Sequence, residues 1–566
     1  MKKILIFLLL SLLIGAVYIY PDIRFMAELN NDFKGITLTG TADETFYLAR
    51  LKGIYKGDYK LANVGNYEHR NDIWFIPPYF EFILGSMGKA LNISVPYLDI
   101  IFSFIFPVII FWLIYLLAYY LSRSRRLGIL GACSILLGYS FFSCSPVILK
   151  QIATLQYSQP LWFLRPFSPQ LVYIPFILSL ILIFLFIDTH RKWRLILISV
   201  LIALLNYLHL YLWAFLSAGL GIWLIIALLQ KNKLIWKNIA VILILTTLFA
   251  IPYWLNYYRV NSSVNNIFFK EVLGMQYSHK PIIPMGYLLV SLMILFCNRK
   301  ANVKFFNFLL SFLLGGFICL NQQVISGELI QPAHFSNYAN KTFIIIAIIV
   351  SLGNIKLFKR KEILRIFFIP LAGFLFFLAF IQQNNYYHAN KKTYADLQSL
   401  SGAISWLKHN TSKEDVIITD SVKFPSFVLI RNLLVYTDNY HYLSFEIASL
   451  IPREEKENRI FYAMRFFEYP IEEADSIFNF KGGLIFFGMS AKYGLIKDAD
   501  RRILDLRNRY INLMDKDPIY LLRKYKIDYV LLTRNDHLFN VVEKKYPNLS
   551  EVFNDGNYKI MKFNNL

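Results

Sequence analysis

Apolar runs of 16 to 23 residues recur along the chain from Leu5 to Phe380, close to the ~20 residues that carry a helix across ~30 Å of hydrocarbon. They predict eleven membrane-spanning helices, near residues 4–20, 99–121, 127–145, 170–187, 195–210, 212–229, 239–257, 282–297, 305–320, 342–358 and 364–381. The first run follows Met1-Lys2-Lys3 and has the charge and apolar core of a signal peptide. It lacks a small-x-small cleavage site before Pro21, so an uncleaved helix is expected.

Two stretches break the apolar rhythm. Residues 21–98 form a long loop after the first helix, too polar for lipid yet rich in Tyr, Phe and Trp. Within it Phe46, Leu48, Leu51, Ile54 and Tyr55 trace one helical face. Pro77-Pro78 followed by Tyr79 to Leu84 predicts a second helix lying at the membrane surface. From residue 391 onward the pattern becomes that of a globular domain. Leu397, Leu400, Ile404 and Leu407 predict a helix, and Val416–Thr419, Leu433–Tyr436, Leu484–Phe487 and Tyr529–Leu532 predict strands, with a helix between them over 498–513. Alternation of this kind argues for an α/β layer domain. The expected architecture is a polytopic α-helical membrane domain over 1–390 with its loop at 21–98, followed by an α/β domain over 391–566.

Composition agrees with a bilayer as solvent, at 56% hydrophobic, 17% aromatic and 17% charged. The formal net charge of +22 raises the question of nucleic acid, but the excess Lys and Arg gather at the ends of apolar runs. The segments Ser122–Arg126, His190–Arg194, Gln230–Lys237, Asn298–Lys304 and Lys356–Arg365 are basic, and the loops alternating with them are far less so. Cytoplasmic loops retain positive charge. A cytoplasmic N-terminus follows, with an odd number of spans placing 382–566 outside, in a cytoplasmic (inner) membrane; nucleic acid is not an expected partner. Cys133, Cys144, Cys297 and Cys319 all fall in predicted spans, so no disulfide framework is implied.

The densest candidate chemistry lies in the first loop. In Thr41-Ala42-Asp43-Glu44-Thr45-Phe46 two adjacent carboxylates open a helix. Thr41 or Asp43 as an N-cap, with acids favoured by the helix dipole, accounts for the pattern structurally. The same loop also carries Glu68, His69, Arg70 and Asp72. Carboxylates so gathered hold Mg²⁺ or Mn²⁺ through hard oxygen ligands, and one can take a proton from a hydroxyl. A divalent cation on Asp43, Glu68 and Asp72 is therefore an expectation of the sequence.

At this point the chain resembles the GT-C superfamily of membrane glycosyltransferases, which includes protein O-mannosyltransferases and bacterial lipid A aminoarabinose transferases. The resemblance rests on Asp43-Glu44 soon after the first helix, the loop from Pro21 to Leu98, the many further spans and the domain after residue 391. It implies that Asp43, with Glu44 beside it, is the catalytic acidic residue, and that the donor is a polyprenyl-phosphate sugar. The chain departs from the aminoarabinose enzymes where Phe75-Ile76-Pro77-Pro78 stands in place of a Lys-Pro-Pro pattern. The choice between Glu68 and Asp72 as second acid stays open.

Two further segments are more polar than loops of their length require. In Leu164-Arg165-Pro166-Phe167-Ser168-Pro169-Gln170, Arg165 suits a phosphate oxygen of a lipid carrier, or serves as a snorkelling anchor, and Gln170 is a candidate substrate contact. In Asn321–His334, Asn321, Gln322 and His334 suit sugar hydroxyls or a buried polar network. His209, near one end of the fifth predicted span, is expected to be structural. No Gly-rich phosphate loop, Cys/His zinc spacing or Gly-x-Ser-x-Gly elbow is present. The sequence reading is thus a glycosyltransferase moving a sugar from a polyprenyl phosphate to a glycan, lipid or protein acceptor at the outer face. A transporter or flippase, a polymerase or ligase of lipid-linked saccharides, and a non-catalytic scaffold are the rivals. The first is disfavoured because the predicted spans are almost free of charge.

Overall fold

The computed structural model describes residues 2–564 except 40–41, 144–145, 158, 356–360, 421, 423–425, 444–449, 480–482, 493–494 and 497. Among the described residues seven helices are long and apolar enough to cross a membrane: Leu5–Asp32, Val95–Ser122, Pro166–Phe186, Leu210–Leu229, Val303–Leu320, Pro332–Leu352 and Ile366–Asn410. An eighth is reached if Lys233–Phe249 and Ile251–Asn261, bent by 53° at their junction, make one span. These apolar helices fit a multi-pass membrane protein, and among the described residues seven or eight of the eleven expected spans are full-length.

The three missing spans are present as shorter helices. Arg125–Leu136, Lys192–Leu208 and Met285–Asn298 run for 12, 17 and 14 residues, and at 1.5 Å per residue the shortest reaches only about 18 Å. The first stops at turns over 137–140 and the second at His209, whose φ of −161° leaves the helical region. Apolar side chains continue through both breaks, which is why hydropathy alone runs past them.

The chain divides into two compact units. The first comprises Met1–Glu28, Asp99–Trp254 and Tyr277–Lys391, and the second Leu29–Leu98, Leu255–Gln276 and Lys392–Leu566. Within the first, small residues let helices approach closely: a Cβ added at Gly315 would sit 2.6 Å from the Gly219 nitrogen. Side-chain amides tie neighbouring helices where no water competes. Asn298 donates to Ser351 Oγ at 2.6 Å, and Asn238 donates to the carbonyls of Ile187 and Thr189.

The second unit is built on a five-stranded mixed sheet. Its strands are β1 (Val416–Thr419), β2 (Tyr440–His441), β3 (Tyr529–Thr533), β4 (Leu549–Asn554) and β5 (Tyr558–Phe563), in the order β2-β1-β3-β5-β4. β1 runs parallel to β2 and β3, pairing Ile417 with Tyr529, while β5 is antiparallel to β3 and β4. Helices bury Phe461, Phe466, Phe478 and Tyr510 in its core. A small sheet region near the C-terminus is present as expected, with two strands corrected: Leu433–Tyr436 lies in the helix Ser426–Tyr436, and Leu484–Phe487 in the helix Gly483–Phe487. Four apolar residues in a row fit a buried helix as well as a buried strand, and Leu429, Leu433 and Tyr436 at helical spacing are all buried.

The first loop folds as part of this second unit. Helix Ala42–Lys56 buries Leu48, Leu51 and Ile54. Helix Tyr79–Ala90 packs on it so closely that a Cβ at Gly85 would lie 2.9 Å from Ile54 Cβ. Arg50 and Glu81, each 3% exposed, join the two helices at 2.6 Å, and Arg50 also donates to the carbonyls of Leu61 and Ile76 at 2.9 Å. With Glu81 turned inward, Tyr79, Phe82, Ile83 and Met87 form the exposed face.

Candidate functional site

Asp43 and Glu44 occupy the first turn of helix Ala42–Lys56, where the positive end of the helix dipole favours carboxylates. Thr41, the alternative cap, lies outside the described residues. The pair is split by exposure: Asp43 faces solvent and Glu44 is 3% exposed. Arg431, on helix Ser426–Tyr436, lies in the electrostatic field of Asp43 and of Tyr394. Burial pulls the Arg431 guanidinium below its usual range, and those two neighbours act against the pull.

Glu68 and Asp72 have different company. Glu68 Oε2 lies 2.8 Å from Arg459 Nη2, and its other oxygen accepts from the Lys526 amide at 2.9 Å. Asp72 Oδ2 is 2.7 Å from His69 Nδ1, whose Nε2 meets Glu455 Oε1 at 3.0 Å. Glu455 shares that oxygen with Arg459 at 2.8 Å. Burial works against charge on His69, but its hydrogen bonds to Asp72 and Glu455 prevail and push it up to about 9. A charged imidazole and a buried guanidinium thus consume the carboxylates expected to hold a cation. Asp43, Glu68 and Asp72 do not gather to fit one, and among the described residues no group of three or more His, Cys, Asp or Glu side chains is arranged to do so.

In the first unit, residues 332–340 enter the span Pro332–Leu352 through a widened helical segment, Phe335–Asn340, a feature frequent at functional sites. It places Tyr338, 6% exposed, at the middle of an aromatic and basic cluster. The His334 ring lies between two tyrosines, 4.8 Å from Tyr211 and 5.5 Å from Tyr338, near parallel to both. His209 lies 4.4 Å from Tyr338 and 5.3 Å from Tyr211, and Trp162 lies 5.3 Å from Tyr338, edge-on. Arg165 donates to the Tyr338 hydroxyl at 3.4 Å. His209 also lies in the field of both His334 and Arg165, and the Lys341 ammonium stands 4.2 Å over the Tyr139 ring.

The structure therefore brings Arg165 and His334 together, and adds His209, which the sequence reading set aside. Tyr338, Trp162 and Tyr211 went unnoticed in the sequence because aromatics are common throughout this chain. The one available signal was the run of polar residues from Ser336 to Lys341 at the start of a span.

The predicted amides serve the scaffold. Gln170, fully buried, donates to the carbonyls of Phe163 and Leu164, fixing the turn that presents Arg165. Asn321 accepts from the Ile282 amide at 2.7 Å and donates to Phe317 at 3.1 Å. Gln322 donates to the Glu328 carbonyl at 2.6 Å and accepts from Ser326 Oγ at 2.7 Å. Of the two roles the sequence offered these residues, a polar network is the one their bonds describe. No family model matches this chain, and no curated protein matches it either.

Proposed function

We propose that this chain is an integral membrane glycosyltransferase that takes a sugar from a polyprenyl-phosphate carrier and passes it to an acceptor hydroxyl. The observation that carries the reading is the gathering of Arg165, His334 and His209 around Tyr338, at the ends of apolar helices. A planar guanidinium with imidazoles beside it, framed by tyrosine and tryptophan, suits an anionic head group whose tail lies in lipid. The resemblance of the Asp43-Glu44 loop to GT-C enzymes supports the same reading.

In this mechanism the acceptor oxygen attacks the anomeric carbon with inversion as the bond from that carbon to the phosphate oxygen breaks. Its electron pair leaves with the phosphate, and the acceptor's proton goes to a base, the role that the GT-C resemblance gives to Asp43, the exposed member of the acidic pair. The departing phosphate is anionic and needs a cation more than a proton donor, a need Arg165 meets, with the His334 imidazole beside it as a hydrogen-bonding group. No step is assigned to a metal. The outer face of a cytoplasmic membrane, with the N-terminus inside, belongs to this proposal and follows from the basic loops.

The test uses the whole chain purified into nanodiscs. Polyprenyl phosphates carrying different sugars are offered with mixed glycan, lipid and peptide acceptors, and release of free polyprenyl phosphate is followed. Turnover, or saturable binding of the carrier that weakens in Arg165→Ala, is expected. Absence of both across the panel would overturn the reading.

A further inference from the structure

Buried polar atoms that meet no hydrogen-bonding group are few in a folded protein, so a local concentration of them calls for an occupant. Four side chains, two resting on Tyr338 and two within about a helical turn of His209 along the chain, carry such atoms: both amide atoms of Asn206, Nδ1 of His209, Nε1 of Trp213 and Nε1 of Trp162 meet no protein partner. Asn206 is 2% exposed. It lies one helical turn before His209, at the end of helix Lys192–Leu208. Trp213 begins the next helix, its backbone N–H donating to the His209 carbonyl at 3.3 Å. Trp162 arrives from a separate part of the chain, and its ring and that of His209 both rest on Tyr338.

These groups are uncharged, and they mix donors with acceptors. Two indole N–H groups and an amide NH₂ give protons, while an amide oxygen takes one. A phosphate, which only accepts, leaves that oxygen unanswered, and an ammonium is repelled by Arg165. Hydroxyls both give and accept.

We infer that Trp162, Asn206, His209 and Trp213 form a carbohydrate subsite, which takes the neutral, hydroxyl-bearing ring of a ligand whose anion lies with Arg165 and His334. The inference rests on the proposed function, since it assigns the sugar of that donor a place. Hydrogen bonds to the ring answer the orphaned atoms, and a carrier without its sugar leaves them unanswered.

The experiment compares two probes in nanodiscs: polyprenyl phosphates bearing a hexose or an N-acetylhexosamine, and the same polyprenyl phosphate bare. The wild-type chain is expected to bind at least one sugar-bearing lipid about tenfold or more tightly than the bare one. Asn206→Leu and Trp213→Phe are expected to erase that preference and leave affinity for the bare lipid unchanged. Asn206→Leu should also raise the melting temperature without ligand, because it removes a buried amide with no partner, whereas an asparagine serving the scaffold would lower it. Binding of neither probe overturns the proposed function itself. Equal binding of both by the wild type, or a preference that survives both substitutions, overturns the subsite and leaves the phosphate reading standing.

Discussion

Asp43 is exposed at the opening of helix Ala42–Lys56, and Glu44, the next residue, is 3% exposed. Only the first can meet a substrate without unfolding the turn. Asp43→Asn keeps size and most N-capping ability, so it should change stability by at most ~1 kcal/mol while lowering transfer on the order of 100-fold. Glu44→Gln should show the opposite balance, a lower melting temperature with transfer per folded molecule retained. Near-full transfer by a well-folded Asp43→Asn protein would return Asp43 to a capping role.

Arg165 donates to the hydroxyl of Tyr338, so the two are separable by substitution. Arg165→Ala should weaken binding of bare polyprenyl phosphate about tenfold or more, equivalent to ~1.4 kcal/mol. Arg165→Lys should recover part of it, keeping charge but not the two-pronged geometry. Tyr338→Phe preserves the ring stack and removes only the hydroxyl, so its effect should be smaller than that of Arg165→Ala. Equal binding by all four proteins would remove the phosphate role from this cluster.

Orientation is open to direct measurement. The basic segments alternate with less basic ones, which predicts a cytoplasmic N-terminus and an outer C-terminal region. A phosphatase fused after Asn390 that works only outside the cytoplasm should be active. A silent phosphatase, with a cytoplasm-dependent reporter active at the same position, would reverse the assignment.

What the sequence disclosed of this fold followed from periodicity, and what it hid followed from backbone breaks and long-range pairing. The face of Leu48, Leu51 and Ile54 was legible because 3.6-residue spacing is local, as was strand β1. The stop at His209 was not, because it is a dihedral event inside an apolar run. The β4–β5 hairpin carried its signal in Asp555-Gly556, with Gly556 at φ +84°, a turn that favours Gly, and went unread. In the site, Arg165 and His334 were identified by their polarity next to spans. Their convergence on Tyr338, reached from 173 residues away in the case of Arg165, had no local signature. Glu68 and Asp72 looked like metal ligands because Arg459, which pairs with Glu68, and Glu455, which holds the His69 ring that Asp72 meets, lie in a distant helix.

The Arg50 and Glu81 pair should dominate the stability of the first loop. Both are 3% exposed, so removing one charge strands the other in a poorly solvated place. Glu81→Ala or Arg50→Ala is expected to cost ~3–5 kcal/mol and to speed proteolysis between residues 57 and 78. Arg50→Met combined with Glu81→Leu should cost less than either single change, since it leaves no stranded charge. A double variant as damaged as the sum of the two singles would show that the pair acts through something other than charge burial.

His69 should confer a stability that depends on pH. Its pKa is raised to about 9 from an ordinary value of 6.5. The folded state therefore holds a proton that the unfolded chain releases, and the imidazolium's bonds to Asp72 and Glu455 contribute fully below about 6.5 and fade as pH rises through about 9. Arg459 and Glu68 complete the set of charges around it. Other groups titrate in the same range with opposite sign. Burial pushes Lys56 down to about 7 and Lys456 down to about 8, so each favours folding as pH rises from there toward the ordinary lysine value of 10.5. The wild-type profile alone would mix these trends, and the useful quantity is the difference between wild type and His69→Asn. That difference should be constant at and below pH ~6, shrink between ~6.5 and ~9, and level off above. Melting temperatures of both proteins from pH 5 to 10, with hydrogen exchange at residues 67–72, would measure it. A difference that stays flat across that window would mean His69 is not held charged by Asp72 and Glu455.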